Sequence, residues 1–115
     1  MKRIIGCQGE ITIIEIGAMP EGVTTREVER TEKGWIISHS ESGHHHLLTG
    51  GDVMERTSDV PAGMQVLYAL LTEPAELVQD AATPHDGYNL PSGLYEFRIA
   101  REYDPFAEQV RRVAD

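Results

Sequence analysis

Short apolar runs separated by turn-forming residues extend along most of the chain. Gly or Pro recurs every eight to twelve residues, and the runs between them are rich in β-branched and aromatic side chains. Strands at this spacing, without helical patterns between them, are typical of antiparallel sandwiches and barrels. The pattern therefore predicts an all-β fold, a small antiparallel β-sandwich or barrel, in a single domain over residues 1–115. The predicted strands are 9–16, 35–40, 45–49, 65–72, 76–80 and 94–101.

Alternating apolar positions within these runs predict which side chains form the core. Ile11 and Ile13 share one face of their strand, whereas Ile14 and Ile16 fall out of that alternation and indicate a β-bulge. Downstream, the sequence Gly50-Gly51 indicates a tight hairpin turn. The predicted core residues are Ile11, Ile13, Ile36, Val66, Tyr68, Leu70, Leu94 and Phe97.

One helix is predicted, at the C-terminus. Asp104 can cap it and Pro105 suits its first position, so we expect a short helix or arm over residues 105–113. Its apolar positions are Phe106, Val110 and Val113. This stripe predicts a helix that covers an open edge or end of the sheet, and the alternative is an arm that docks on another subunit.

The charge of the chain excludes one class of partner. Ten Lys and Arg oppose nineteen Asp and Glu, which gives a net charge of -9. Nucleic-acid binding needs a cationic surface, so we expect no nucleic-acid partner. Residues 57–97 contain acidic side chains and no Lys or Arg, whereas residues 98–115 are neutral. This asymmetry fits a solvated acidic face, or complementary contacts within or between copies.

Cysteine content and hydropathy indicate the compartment. Cys7 is the one cysteine of the chain, which excludes an intramolecular disulfide and fits a reducing environment. The N-terminal residues form no signal-peptide apolar stretch, and no window approaches the roughly twenty apolar residues that a membrane span needs. The sequence predicts a protein made in the cytoplasm, with no membrane partner.

Candidate chemistry is concentrated in the histidines. In a strand, His44 and His46 would share one face, as two imidazoles that chelate one ion must. His85 is the best third ligand in sequence, and the candidates behind it are His39, Asp52 and Glu55. Structural or interface histidines with no cofactor are the favoured interpretation. A bound divalent transition metal is the alternative.

Other catalytic patterns are absent from the sequence. It contains no G-x-S-x-G elbow, no phosphate-binding G-x-x-x-x-G-K-S/T and no C-x-x-C. Cys7 could pair with His39 or His44 as nucleophile and base, but a lone cysteine is far more often packed or inert. The sequence therefore predicts no catalytic residues.

The H-x-H pair on a β background resembles the first metal motif of the cupins. In that motif a Glu follows the second His after three or four residues, and these positions are Gly50 and Gly51 in this sequence. A second cupin motif places a His after P-x-G, and Glu96 stands there after Pro91-Ser92-Gly93. The resemblance implies a cupin-like metal-binding protein or metalloenzyme that uses His44, His46 and His85.

Residues 39–115 also resemble a group of small proteins of tailed phages, prophages and some bacterial genomes. The motifs that carry this resemblance are Gly43-His44-x-His46, His85-x-x-x-x-Leu90-Pro91-x-Gly93-x-Tyr95 and Arg101-Glu102-Tyr103-x-Pro105. The group has no established catalytic activity that would imply a reaction, so the resemblance implies a context.

The phage resemblance favours a non-enzymatic virion component. Such a protein would be a capsid decoration or cement protein, a homotrimer that binds the phage major capsid protein and lies on the capsid surface. Aromatic residues and Arg are enriched at protein contacts. The predicted interface residues are Trp35, Tyr88, Arg101, Tyr103 and Phe106. Under the cupin-like alternative the protein would stay in the cytoplasm.

Overall fold

Ten β-strands form two antiparallel sheets in the part of the chain that the structure describes. This computed structural model describes residues 2–38, 45–79 and 87–100. The strands are β1 (Lys2–Gln8), β2 (Ile11–Ile16), β3 (Thr25–Glu27), β4 (Trp35–Ser38), β5 (His46–Leu48), β6 (Asp52–Arg56), β7 (Met64–Leu71), β8 (Ala75–Gln79), β9 (Tyr88–Leu90) and β10 (Gly93–Ala100). The prediction of an all-β, antiparallel fold is confirmed.

The strands divide between a large and a small sheet. The six-stranded sheet has the order β1-β2-β10-β7-β6-β3, and the four-stranded sheet has the order β4-β5-β8-β9. The predicted C-terminal helix over 105–113 lies outside the described residues. Within the described ranges, the chain contains no helix long and apolar enough to cross a membrane.

The main core lies between the two sheets. Tyr95 and Phe97 of β10 are fully buried there, as are Leu48 of β5 and Leu77 of β8. β10 contributes several buried side chains to this core because it occupies a central position in the large sheet, between β2 and β7.

Five of the eight predicted core residues are buried, and the other three are partly or largely exposed. Ile11, Ile13, Val66, Tyr68 and Phe97 are buried as predicted.

Leu70 is 44% exposed, because its neighbours Ala69 and Leu71 take the inward positions of β7. Ile36 and Leu94 are half-buried. A register shift after Ile36 turns Ile37 into the core in its place.

The predicted bulge belongs to a neighbouring strand. β2 pairs with β10 in unbroken register, so Ile14 and Ile16 point to the opposite face of the sheet from Ile11 and Ile13. The register shift lies in the β1–β2 pair, between Ile4 and Gly6 of β1. The sequence prediction was wrong here because β2 is apolar on both faces, as strands covered on both sides are.

The turn predicted at Gly50-Gly51 is a crossover between the sheets. β5 belongs to the small sheet and β6 to the large one, so the two strands do not form a hairpin. Gly51 has a φ of 91°, and a Cβ there would collide with Leu71 and the backbone of Leu70. The crossover therefore needs glycine at this position.

The β1–β2 hairpin crosses the small sheet strand by strand. Gly6 lies against β9, Gln8 contacts β8 and β5, and Glu10 contacts β4. This contact order means that β1 runs across the strands of the small sheet, as in orthogonal sheet packing. The crossing places the polar end of the hairpin against the histidine-bearing strand β5.

Candidate functional site

The predicted histidines belong to one end of the small sheet. The described residues at that end are Ser38, His46, Gln79 and Tyr88, which end or begin β4, β5, β8 and β9. The connections that contain residues 39–44 and 80–86 both join strands at this end. His39, His44 and His85 fall within those connections, outside the described residues, so His46 is the predicted histidine ligand that the structure places. The acidic candidates Asp52 and Glu55 lie on β6 of the large sheet, where Glu55 binds Arg26.

His46 is the centre of a polar cluster between the two sheets. Its ring is 5% exposed, and Nδ1 lies 2.8 Å from Oε1 of Gln8. On the other side, Nε2 lies 3.8 Å from Oε2 of Glu10. The second oxygen of Glu10 accepts a hydrogen bond from the Ser38 hydroxyl. We call Gln8, Glu10, Ser38 and His46 the His46 cluster.

The hydrogen bonds of Gln8 assign the nitrogen of the His46 imidazole that carries the hydrogen. The amide Nε2 of Gln8 donates to the backbone oxygen of Leu77 at 3.1 Å, so Oε1 of Gln8 is the atom that faces His46. Because an amide oxygen only accepts, Nδ1 of His46 carries a hydrogen and donates it. Nε2 then faces the Glu10 carboxylate, and a second proton on the ring would make this contact an ion pair.

The His46 cluster connects the β1–β2 hairpin to three strands of the small sheet. Its members come from β1, the β1–β2 turn, β4 and β5, and Leu77 adds β8. Buried polar groups that satisfy one another in this way hold elements in a unique arrangement. The polar contacts of the cluster therefore hold the β1–β2 hairpin against the small sheet.

The geometry of the cluster does not activate a nucleophile. The Ser38 hydroxyl points to Glu10 instead of the imidazole, whereas nucleophile activation needs a hydroxyl bonded to the base. Cys7 is exposed, and its Sγ lies 3.9 Å from the Thr12 hydroxyl. Its suggested partners, His39 and His44, lie outside the described residues.

The capacity of the cluster for metal is limited to two facing atoms. Nε2 of His46 and Oε2 of Glu10 could both approach one ion. Within the described ranges, no group of three or more His, Cys, Asp or Glu side chains could hold a metal. A complete site would need further ligands.

The predicted aromatic anchors Trp35 and Tyr88 make contacts within their own chain. Both are half-buried and pack against the main core. The indole Nε1 of Trp35 donates to the backbone oxygen of Gly51 at 3.0 Å, next to the sheet crossover. The Tyr88 ring covers Gly6 of β1. The other predicted interface residues, Arg101, Tyr103 and Phe106, lie outside the described residues.

A second apolar surface lies on the face of the six-stranded sheet that points away from the small sheet. We call this the outer face. Its buried residues are Ile14, Ile16, Val66 and Tyr68, and Met19, Val60, Met64 and Leu94 pack against them partly buried. Among the described residues, the exposed large apolar side chains are Ile4 and Leu70, at 69% and 44%. Cross-strand pairing with Ile14 and Leu94 places both on the outer face.

The apolar outer face is also visible in the sequence, although the alternation of apolar positions did not predict it. β7 reads as an almost unbroken apolar run from Met64 to Leu71, and β2 has isoleucines on both faces. Continuous apolar strands are typical of sheets that are covered on both sides. These apolar runs therefore indicate a sheet that is buried on both faces, in agreement with the burial of Ile14, Val66 and Tyr68.

A buried carboxylate lies in the middle of the outer face. Glu96 is fully buried, and its Oε2 accepts a hydrogen bond of 2.7 Å from Nε of Arg98. Its Oε1 lies 3.8 Å from the Lys2 ammonium and accepts no hydrogen bond from the residues that the structure describes. The two cations offset the cost of burying this charge.

Comparison with known proteins identifies a family. The model of a family described as a domain of unknown function, DUF8820, matches residues 7–100. No curated protein matches this chain, and no solved structure does. The matched range includes the His46 cluster and most of the two sheets.

Proposed function

The chain belongs to the DUF8820 family, described as a domain of unknown function. For this member of the family we propose the role of a non-enzymatic component of a phage virion. In this proposal it is a capsid decoration or cement protein, a homo-oligomer that stabilises the head. It is made in the host cytoplasm and then lies on the capsid surface. Its fold would be a β-sandwich, with which the two-sheet arrangement is compatible.

The observation that carries the proposal is the position of the exposed apolar side chains. Ile4 and Leu70 share the outer face, beside a partly buried apolar layer. Apolar surface collected on one face is typical of protein contact sites. In the His46 cluster the Ser38 hydroxyl bonds Glu10 instead of the imidazole, and the polar contacts join the two sheets. These features support an assembly protein over an enzyme.

The phage context is supported by the motifs of the sequence. The Gly43-His44-x-His46 and Arg101-Glu102-Tyr103-x-Pro105 motifs resemble those of phage and prophage proteins. A capsid presents many copies of one site, so weak contacts by an oligomer gain strongly from avidity. We propose the major capsid protein as partner and a trimer as the assembly that matches three-fold capsid positions.

The test is whether the protein is part of virions. Particles of a phage or induced prophage whose genome encodes this chain, purified on a density gradient and analysed by quantitative mass spectrometry, should contain many copies of it per capsid. Recombinant protein added to undecorated heads should co-sediment with them and raise the temperature at which they release DNA. Absence from purified particles, together with no co-sedimentation, would overturn the proposal.

A cupin-like metal protein is the second candidate, favoured by one observation. The connections that carry His44 and His85 both join strands at the end of the small sheet where His46 faces Glu10. We expect no stoichiometric zinc, iron or manganese in protein passed through gel filtration. Retained metal that is lost in a His44→Ala plus His46→Ala variant would establish the second candidate, with Glu76→Ala as the control.

A further inference from the structure

The side of the small sheet that points away from the large sheet carries a row of three apolar residues. Ile36 of β4 pairs with Leu47 of β5, and Leu47 pairs with Val78 of β8. The residues next to these three along their strands belong to the main core between the sheets: Ile37, Leu48 and Leu77. Because successive side chains of a strand point to opposite faces, the row lies on the other side of the sheet. We call it the small-sheet row.

Leu47, at the centre of the small-sheet row, is covered. Its side chain is 5% exposed, although it belongs to neither apolar cluster of the described residues. A side chain that stands upright on an open sheet face presents its tip to water even when it has a neighbour on each side. An exposed fraction this low therefore needs a cover above the row. Because the fraction is that of a single copy, the cover belongs to the same chain.

The composition of the nearby segments indicates which of them supplies the cover. Residues 39–45, before β5, contain His, Ser, Glu and Gly and no apolar side chain. Residues 80–87, after β8, contain two Ala and one Pro as their apolar side chains. The fifteen residues after Ala100 contain several large apolar side chains: Tyr103, Phe106, Val110 and Val113. Of these three segments, the C-terminal one has the apolar surface that a cover for Leu47 requires.

The chain leaves the described residues close to the edge of the small sheet. The backbone nitrogen of Ala100 donates to the backbone oxygen of Glu10 at 3.1 Å, and the Glu10 carboxylate accepts a hydrogen bond from Ser38 at the end of β4. β4 is an edge strand, and it carries Ile36 of the row. Residues 101–104 can extend over about 13 Å, which exceeds the ~10 Å between two packed sheets. The segment is therefore long enough to pass round β4.

We propose that residues 105–113, the C-terminal arm, pack on the small-sheet row of their own copy. The apolar stripe of the arm, Phe106, Val110 and Val113, then lies over Leu47. In a helix this stripe extends over about 10 Å, and three strands at a spacing of ~4.8 Å give the row a similar width. The sequence left open whether the arm covers its own sheet or docks on another subunit, and this contact assigns it to its own sheet.

A spin label on the arm tests its position by nuclear magnetic resonance. In a helix, Glu108 falls on the side opposite to the stripe, so a label there leaves the apolar contact in place. Glu108→Cys in a Cys7→Ser background provides one labelling site, because Cys7 is the one cysteine of the chain. We expect the methyl signals of Leu47 to be lost by paramagnetic broadening. The methyl signals of Leu70, on the outer face of the large sheet, should keep their intensity.

A mixed sample separates a contact within one copy from a contact between copies. Isotope-labelled protein without the spin label is mixed with spin-labelled protein at natural isotope abundance. We expect the Leu47 signals of the mixture to keep their intensity. Their loss in the mixture would overturn the proposal, because the arm would then lie on another copy. Unchanged Leu47 signals in protein that carries both labels would overturn it as well, because the arm would then lie elsewhere.

A double-mutant cycle tests the same contact without a label. Leu47→Ala and Phe106→Ala should each raise the equilibrium constant of unfolding, because each removes buried apolar atoms. In the double variant the rise should be about tenfold smaller than the product of the two single effects, since both changes remove one contact. Leu70→Ala with Phe106→Ala is the matched control, and its effects should multiply. Multiplying effects for the Leu47 pair would contradict the contact.

The contact lies within one copy and does not depend on the proposed function. Protein that loses its Leu47 signals and fails to bind capsids would contradict the capsid role and leave the contact in place. Protein that binds capsids with unchanged Leu47 signals would contradict the contact and leave the capsid role in place. The two failures are therefore distinguishable.

Discussion

At the scale of single residues, the turn between β1 and β2 is adapted to the His46 ring. Gly9 has a φ of 57°, a left-handed backbone conformation that residues other than glycine adopt only at a cost in free energy. A Cβ at this position would lie 3.2 Å from Nε2 of His46. Glycine therefore permits both the tight turn and the close approach of the hairpin to the imidazole.

Alanine at Gly9 should destabilise the protein by about 2 kcal/mol, of which about half is backbone strain and the rest displacement of His46. Gly22→Ala is the matched control, because Gly22 has a φ of 77° and a Cβ there would meet no atom of the described residues within 4 Å. Urea denaturation measures both free energies of unfolding. Equal losses for the two variants would contradict a role for the Gly9–His46 contact.

Tyr95 gives the fold a dependence on alkaline pH. Burial, and then the nearby Glu15 carboxylate, raise the pKa of the Tyr95 phenol above its ordinary value of 10.0, while Arg3 opposes them. The phenol also donates to the backbone oxygen of Pro91 at 2.7 Å. Because the folded state holds this proton more tightly, its contribution is complete below pH 10 and is lost as the pH rises through the raised pKa.

We expect the free energy of unfolding to fall above about pH 10 and Tyr95→Phe to reduce that fall. At neutral pH the same variant should cost about 1 kcal/mol for the lost hydrogen bond. Denaturation at a series of alkaline pH values measures the effect, with Tyr88→Phe as the matched removal of a phenol. An identical pH dependence in wild type and Tyr95→Phe would refute this assignment.

At the scale of elements, β1 is held by two different kinds of contact. It pairs along β2 in the large sheet, and its inner surface crosses the small sheet. The crossing begins at Gly6, where a Cβ would lie 2.6 Å from the Tyr88 phenol oxygen and 2.7 Å from Cε1. The absence of a side chain at Gly6 lets the two edge strands β1 and β9 approach.

Gly6→Ala should therefore cost about 1–3 kcal/mol, because the Tyr88 ring must move. In the Gly6→Ala plus Tyr88→Ala variant the loss should be smaller than the sum of the two single losses, since the ring that collides is gone. Gly50→Ala is the control, because the contact of its Cβ among the described residues would be Ala75 at an ordinary 3.6 Å. Additive losses in the double variant would show that the contact is not responsible.

At the scale of the whole molecule, the crossing hairpin and the His46 cluster connect the two sheets. The chain has a single tryptophan, Trp35, whose indole is hydrogen-bonded next to the crossover between the sheets. Its fluorescence reports the junction, whereas far-ultraviolet circular dichroism reports all strands. The two signals therefore sample different parts of the same transition.

We expect the fluorescence and circular dichroism transitions to coincide in urea, as for a two-state domain. His46→Ala removes the centre of the His46 cluster and should lower the urea midpoint of unfolding by the equivalent of about 2 kcal/mol. Two separated transitions in wild-type protein would contradict the view that the sheets unfold together.

The sequence predicted the strands with strong local signals and missed those without them. The prediction 94–101 corresponds to Gly93–Ala100, and 65–72 corresponds to Met64–Leu71. β3 has three exposed residues, and β6 has two apolar residues among five positions, so neither produces a clear apolar run. These strands form because the sheet beside them supplies hydrogen-bond partners.

The candidate site was predicted less completely than the strands. His46 was recognised from the H-x-H pattern, but its described partners Gln8 and Glu10 precede it by more than thirty positions. No periodicity connects a turn near the N-terminus to a strand in the middle of the chain. The hydrogen bonds of His46 could therefore be found only after the hairpin was seen to cross the small sheet.

The sequence by itself determined the all-β, antiparallel character of this protein, because turn residues and strand propensity act over a few neighbouring positions. It also determined that β2 and β7 are apolar on both faces. Only the tertiary structure decided which sheet each strand joins, and it decided that Ile36, Leu47 and Val78 form the small-sheet row. That row combines residues from three strands, and its register depends on non-local hydrogen bonds, which side-chain order along the chain does not encode.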